Sequence, residues 1–492
     1  MIALTLTEVA AATGGRLHVP GGVDPDAVVV DGPVVTDSRE AAEGSLYVAR
    51  IGEHADGHDF VGVAVERGAV AALVGRPVDG VACVVVDDTE TAFGMLAREV
   101  VRRVPGLEVV GITGSSGKTS TKDLLGAVLA TTGPTVAPVG SYNSEVGVPL
   151  TVCRVTADTR FLVVEMGARG IGHVAHLAEV APPRVGVVLN VGTAHVGEFG
   201  SRAAIARAKA ELVTALPADG VAVLNADDEA VRAMATVTVA RVVLVGEAAD
   251  SEVRATDVSL DAGGRPTFTV EAPGGRRTVT LGLVGRHHVG NALAVLATAT
   301  ELGMPFEDAC AALESARAAS RWRMEVTERD DGVTVVNDAY NANPDSMRAA
   351  LSALERMGEG RRTWAVLGTM LELGAESDAL HAEVGAEVVA RHVDELVVVG
   401  DAAAPLADGA RAAVGTASDA ASGAGEDTAS AAGDDTASGR PTRTRLVADA
   451  DAAESLLRSE LRRGDVVLFK SSRDAGLRLL GDRLAAPREE LT

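Results

Sequence analysis

Lysine is nearly absent from this chain: of 45 basic residues in 492, only those at 118, 122, 209 and 470 are lysine, and the rest are arginine. Whatever bias removed lysine elsewhere, the survivors are candidates for chemistry that needs a primary amine. Cysteine is scarcer still. Cys83, Cys153 and Cys310 are odd in number, far apart and without metal-type spacing, so no disulfide is expected and they read as reduced core residues of a cytosolic protein. Positive charge is in deficit, with a net charge of −24. That balance argues against nonspecific binding to nucleic acid or anionic membranes, while a local basic cleft for phosphates remains compatible with it. Long apolar runs are missing too: none approaches the ~20 residues that span a bilayer. The N-terminal segment Met1 to Glu8 has no early positive charge and carries an acid where a signal peptide is apolar. A cytoplasmic protein without membrane insertion is expected.

What the chain does contain is a phosphate cradle, Gly111-Ile112-Thr113-Gly114-Ser115-Ser116-Gly117-Lys118-Thr119-Ser120, between an apolar run and a helical stretch. Glycines let backbone N–H groups turn inward around an anion, the lysine places a point charge on the β/γ-phosphates, and the Thr119 hydroxyl suits Mg²⁺. The spacing departs from Gly-x-x-x-x-Gly-Lys, because Ile112 stands where the first glycine would be. A plain Gly/Ser turn at a helix start is the alternative; the strand, loop and helix context favours nucleoside triphosphate binding.

The length predicts two or three domains. Residues 1–88 hold short β-rich runs at Val28 to Val30, Leu46 to Ala49, Val70 to Val74 and Val81 to Val86, separated by Gly and Asp turns, and read as a small α/β domain. Residues 89–319 alternate helices with strands at Val109 to Ile112, Phe161 to Glu165, Val185 to Asn190 and Val221 to Asn225, the pattern of a mostly parallel sheet covered on both faces. Residues 320–492 repeat the alternation at Val333 to Asn337, Trp364 to Leu367, Leu396 to Val399 and Val466 to Phe469, as in a Rossmann-like sheet. The tract from about 415 to 440, rich in Ala, Ser, Gly and Asp, reads as a disordered surface insertion.

Ligands gather at the carboxyl ends of parallel strands. There the sequence delivers the Glu165 carboxylate and, after the next strand, Asn190, Thr193 and His195. Beside a phosphate loop, these residues favour metal ligation over an ordinary strand-end Glu and a hydrogen-bonded His. Lys209 lies on a helix starting after Ser201, at the margin of its apolar stripe. Two readings stand: a lysine whose stem snorkels along the core, or a neutral amine that CO₂ converts to a carbamate, reversing its charge and supplying an oxygen ligand.

These segments resemble the Mur ligases, ATP-dependent amino-acid ligases of peptidoglycan precursor synthesis. Thr113 to Thr121, Glu165-Met-Gly167, Asn190 to His195, Ala208-Lys209-Ala-Glu211 and Gly285 to Ala294 match the family's motifs in order across the whole chain. Thr36 to Arg39, Asn143 to Pro149, Asn337 to Met347 and Leu367 to Gly374 are similar to members that add D-alanyl-D-alanine to UDP-N-acetylmuramoyl-tripeptide. The resemblance implies an N-terminal domain for the UDP end, a central ATPase and a C-terminal domain for the incoming amine, acting as a monomer. It implies that Thr113, Gly114, Ser115, Ser116, Gly117, Lys118 and Thr119 cradle ATP, that Asn291 and Asp338 contact adenine and ribose, and that Arg323 contacts the phosphates. It places Asp37, Ser38, Arg39, Asn143, Tyr340, Asn341 and Asn343 among the substrate contacts.

Two Mg²⁺ ions would follow, one on Thr119 and Glu165, the other on His195 and Lys209, which falls on the family's N6-carboxylysine. Lys118, Glu165, His195 and Lys209 would carry the catalysis. Lys470, at the end of the last apolar strand, would pair with the dipeptide carboxylate or else face solvent. Ser144, His288 and Thr369 depart from residues common in the family and bear on details of substrate contact. Two other readings remain open: a folylpolyglutamate synthetase-like ligase, and a P-loop ATPase or nucleotide switch that ligates nothing.

Overall fold

The computed structural model describes residues 1–52, 55–192, 196–317, 319–423 and 441–486. Among these residues three α/β units follow one another, each on its own sheet. The first has a five-stranded sheet in the order Arg16–His18, Cys83–Val85, Ala69–Val74, Ser45–Val48, Val34–Val35. Its side chains alternate with the period of two that a pleated strand imposes. Tyr47, Ala72, Val74 and Val85 fill a small core on one face, whereas Leu46, Val48, Leu73 and Val84 join a larger core on the other. The helix Thr89–Arg102, capped by Asp88, lies in that larger core. Through Phe93, Leu96 and Val100 it binds the first sheet to residues of the second, such as Leu162 and Val164.

The central unit has nine strands in the described residues, in the order Gly275–Thr280, Pro266–Ala272, Val253–Leu260, Arg241–Gly246, Val221–Asn225, Val185–Val188, Glu108–Thr113, Phe161–Glu165, Thr135–Val136. Pairing is parallel from the last of these back to Val253–Leu260 and antiparallel in the two strands beyond it. The apolar runs expected from the sequence are the buried centre. Those last strands escaped notice because one of their faces is exposed, which breaks the apolar run into polar alternation such as Val-Arg-Ala-Thr-Asp-Val-Ser-Leu.

The third unit has six strands in the described residues, ordered Glu325–Glu328, Thr334–Asn337, Val466–Lys470, Thr363–Leu367, Glu395–Val399, Arg443–Val447. Only the first pairs antiparallel. The two edge strands are polar and were not evident as apolar runs. One expectation needs correction: the helix Ala404–Gly423 runs nine residues into the tract read as disordered. Its alanines are strong helix formers, and the helix is already anchored by buried Leu406, Ala407 and Ala410. Residues 424–440 lie outside the described residues.

That helix packs on Ser377–Ala390 at backbone contact. A Cβ on Gly385 would lie 1.9 Å from Leu406 O, and one on Gly409 would lie 2.0 Å from Ala382 O. Gly385→Ala should therefore separate the helices and destabilise the chain by about 1–3 kcal/mol, read as a lower denaturation midpoint; an unchanged midpoint would contradict this packing.

Candidate active site

Three neighbouring parallel strands end together. Ile112 pairs in register with Glu165, and Thr113 with Val188, so the phosphate loop, the Glu165 carboxylate and the segment after Val188 share one edge. This is the place where ligands bind in such sheets. The chain leaves the strand Glu108–Thr113 through Gly114 and Gly117, which has φ 81°, and enters the helix Lys118–Leu129. Gly117 is required on two grounds: its left-handed backbone, and a Cβ there would lie 2.8 Å from Asn291 Oδ1.

The loop is braced from the neighbouring strand. Asn190 Oδ1 accepts from Ser116 N at 2.9 Å, Asn190 Nδ2 donates to Ser116 O at 3.2 Å, and Asn190 O accepts from Ser115 N at 3.1 Å. Gly192 N donates to Ser115 Oγ, and Val191 N to Asp228 Oδ2. Thr113 Oγ1 donates to Met166 O, tying the loop to the strand on its other side. Asn190, which the sequence offered as a metal-site amide, is a loop brace here.

Glu165 is fully buried. Its carboxylate accepts from Thr119 Oγ1 at 3.0 Å, Ser141 Oγ at 2.8 Å and Asn143 Nδ2 at 2.7 Å, bonds that charge on the acceptor strengthens. Ser141 was missed in the sequence, since a lone serine in a loop carries no spacing signal. Asn143, expected at the substrate, stands instead beside Glu165.

Three basic side chains gather beside the loop. Lys118 Nζ donates to Gly114 O at 2.7 Å; burial lowers its pKa, an effect opposed by Glu165 and reinforced by Arg323. Arg323, from the third unit, donates to Thr119 Oγ1 at 3.3 Å and lies over the Tyr340 ring at 4.3 Å. Lys209, on the helix Arg202–Thr214, is 5% exposed. Burial, and then the Lys118 charge, push its pKa far below the usual lysine value, so the amine tends to the neutral, nucleophilic form. A chain of net charge −24 thus concentrates positive charge where an anion would bind. His195 lies outside the described residues.

Beside the loop a cavity of about 360 Å³ is lined by Leu189, Asn225, Val245, His287, Asn291 and Ala294, among others. Val188, Leu189, Val245 and Ala294 give it an apolar side, and Asn190, Asn225, Asp227, Glu247 and Arg286 a polar one, a combination that suits a heterocycle bearing hydrogen-bonding groups. Asn291 Nδ2 faces His288 Nδ1 at 3.3 Å. Asp338 is close enough to raise the pKa of His287 against the effect of burial.

Other expected substrate contacts fall differently. Lys470 is neither solvent-facing nor open to a carboxylate: it is 2% exposed, and Nζ donates to Asp338 Oδ2 at 2.6 Å, Asp338 O at 3.3 Å and Asn341 O at 3.1 Å. Its three N–H groups are thus spent on ordering the segment 338–341. Asn343 is the cap of the helix Pro344–Met357, accepting from Ser346 N while Asn343 N donates to Ser346 Oγ. The Asn-Pro-Asp-Ser spacing carries that capping signal. Asn341 Oδ1 accepts from Ala342 N. Asp37, Ser38 and Arg39 lie in the first unit, where Arg39 folds back on Asp37 and holds its carboxyl down to about 2.

Residues 112–299 match the model of the Mur ligase middle domain, and residues 322–473 that of the Mur ligase glutamate ligase domain. The chain is 47% identical to the UDP-N-acetylmuramoyl-tripeptide--D-alanyl-D-alanine ligase of Mycobacterium tuberculosis H37Rv, covering 99% of this chain and 98% of that relative. It belongs to the Mur ligase family. The similarly named Escherichia coli K12 enzyme is 38% identical over 81% of this chain and 86% of its own length. Among solved Mur ligases, a crystal structure of MurF from Acinetobacter baumannii superposes with a TM-score of 0.83 at 29% identity, covering 98% of this chain and 99% of that one. MurF from Thermotoga maritima in complex with ADP gives 0.76 at 28%, covering 93% and 97%.

If the Mur-ligase phosphate loop depends on its brace, Asn190→Ala, which removes two side-chain hydrogen bonds at about 1 kcal/mol each, should weaken ADP binding roughly tenfold in calorimetry. Affinity equal to the parent chain would show that the loop holds its shape without it.

Proposed function

We propose that the chain is an ATP-dependent amide ligase that joins D-alanyl-D-alanine to UDP-N-acetylmuramoyl-tripeptide in peptidoglycan precursor synthesis. The observation that carries this reading is the convergence of a main-chain phosphate cradle, a buried carboxylate and an arginine from the third unit at one sheet edge. The names of relatives that match over almost the whole chain supply the substrates.

In this reading the tripeptide carboxylate attacks the γ-phosphate of ATP, giving an acyl phosphate and ADP. The amine of D-alanyl-D-alanine then attacks the acyl carbon and phosphate leaves. Bringing two anions to 4 Å costs about 4 kcal/mol per pair of unit charges at an effective dielectric of 20. Lys118 and Arg323 offset that repulsion, and the N–H groups of the loop orient the phosphates. Asn291 and the cavity beside it receive the base, and Asp338, held by Lys470, the ribose. Asp37, Ser38 and Arg39 belong to the UDP-substrate domain, 1–88; the ATP domain is 89–319, and 320–492, with Tyr340 and Asn341, receives the amine.

The Thr119 hydroxyl and Glu165 carboxylate, 3.0 Å apart, are hard oxygen donors of the type Mg²⁺ takes. Among the described residues no group of three His, Cys, Asp or Glu could hold a metal alone, so phosphate oxygens and water would complete the shell. A second Mg²⁺ would be held by Lys209 as N6-carboxylysine together with His195; the ions would supply positive charge to the phosphates and acyl oxygen. The chain acts as a monomer in this reading. No helix in the described residues is long and apolar enough to cross a membrane, and the acidic net charge disfavours nucleic acid, in keeping with a cytoplasmic enzyme.

Incubation with ATP, D-alanyl-D-alanine and the tripeptide carrying either meso-diaminopimelate or lysine should yield one ADP, one phosphate and one pentapeptide product by mass spectrometry. ATP hydrolysis indifferent to both other substrates would refute the ligase. Lys118→Ala should abolish ligation with the circular dichroism spectrum intact.

The carbamate needs a neutral amine, and the depressed Lys209 pKa enlarges that fraction at neutral pH; acid protonates the amine and removes the modification. With ¹³C-bicarbonate, the parent chain should show a carbamate carbon signal that fades as pH falls and is missing from Lys209→Ala. Ligation by that variant should collapse and recover in part with short-chain carboxylates; full activity without them would eliminate the carbamate.

A further inference from the structure

Lys122 is the one lysine to which the proposed reaction assigns no task. It lies on the phosphate-loop helix one turn beyond Lys118 and is 2% exposed. Its ammonium meets three segments of chain: Nζ donates to Pro138 O at 2.6 Å and, at a longer 3.4 Å, to Ser320 Oγ, and it lies 2.5 Å from Asp123 Oδ1. Asp123 Oδ2 accepts from Ser320 N at 3.0 Å. Each segment leads into the site. Pro138 stands three residues before Ser141 and five before Asn143, both donors to Glu165. Ser320 stands three residues before Arg323, which reaches Thr119.

A buried ion pair contributes little net stability, because desolvation cancels most of the attraction; its use lies in fixing position. We propose that Lys122 and Asp123 form a positioning pair that clamps the segment 138–143 and the linker 320–323 to the phosphate-loop helix, keeping Ser141 and Asn143 on Glu165 and Arg323 on Thr119, beside the phosphate loop. The residue type fits. An ammonium directs its three donors apart, toward three acceptors on different segments, whereas a guanidinium presents a larger planar fork. The linker also needs a clamp: Trp322 and Met324 hold φ of 60° and 50°, the left-handed region that costs side-chain-bearing residues and persists only where both sides are pinned. On the third unit the pins are Asp482, which accepts from Trp322 Nε1, and Asp338, which accepts from Met324 N. On the central unit the pin is Asp123.

The inference rests on the ligase reading for its kinetic readouts but not for its binding readout. The double variant Lys122→Met/Asp123→Asn removes both buried charges and leaves Ser320 N an acceptor. In the full chain, calorimetry with adenylyl imidodiphosphate should show affinity reduced about tenfold, the KM for ATP should rise similarly, and the KM for UDP-N-acetylmuramoyl-tripeptide should stay put. Adding Arg323→Ala to the double variant should cost far less than it costs in the parent chain. Parent-like affinity, or losses that simply add, would overturn the clamp. Should the double variant fail to fold, Ser320→Pro, which deletes the N–H given to Asp123 from outside the core, should lower the affinity alone; unchanged binding there would also overturn it. Absent ligation by a parent chain whose variants still lose affinity would remove the ligase reading and leave the clamp.

Discussion

The site is organised around a buried carboxylate. Glu165 ends a central parallel strand with its side chain fully buried, and a buried charge must be satisfied by donors or by cations. The donors come from two stretches of chain: Thr119 on the phosphate-loop helix, and Ser141 and Asn143 in the segment after the strand Thr135–Val136. The cations come from two units, Lys118 from the loop of the central one and Arg323 from the linker to the third sheet. Thr119, which donates to this group, also accepts from Arg323, 204 residues further along the chain. The cluster that results suits an additional anion, since Lys118 and Arg323 outnumber the one carboxylate.

Burial also sets the chemistry of the lysines. The chain keeps four, and each is half-buried or buried where an arginine could not substitute without change of shape or proton affinity. Burial lowers the proton affinity of Lys118 and, reinforced by the Lys118 charge, that of Lys209; Lys470 is spent on Asp338 and Asn341, and Lys122 joins three segments. The same side chain thus serves as a point charge at 118, a buried amine of lowered proton affinity at 209 and a tetrahedral connector at 122 and 470.

The strands that build the site were legible because a parallel sheet covered on both faces demands continuous apolar runs, and each run that ends in a polar residue announces a strand end. Phe161 to Glu165 is such a case. The strands Val253–Leu260 to Gly275–Thr280 and the edges Glu325–Glu328 and Arg443–Val447 were not, because exposure of a face or an edge permits polar residues and removes the run. The helix reaching Gly423 was hidden by a composition that reads as disorder when its packing partner is unknown.

Motif chemistry lay in the sequence itself: a loop whose glycines, lysine and threonine suit phosphate, a carboxylate after an apolar strand, and a lysine kept among arginines. Those are local properties, written in spacing and residue type. Which polar groups meet is a matter of sheet order and of the way the linker 320–324 crosses back over the loop. So only the fold could show that Asn190 braces Ser116, that Asn343 caps a helix, that Lys470 has no hydrogen to spare for a substrate, and that Ser141 stands beside Glu165. Contacts between segments far apart in the chain leave no periodic trace, because each partner need only be a small polar residue at the right place in space.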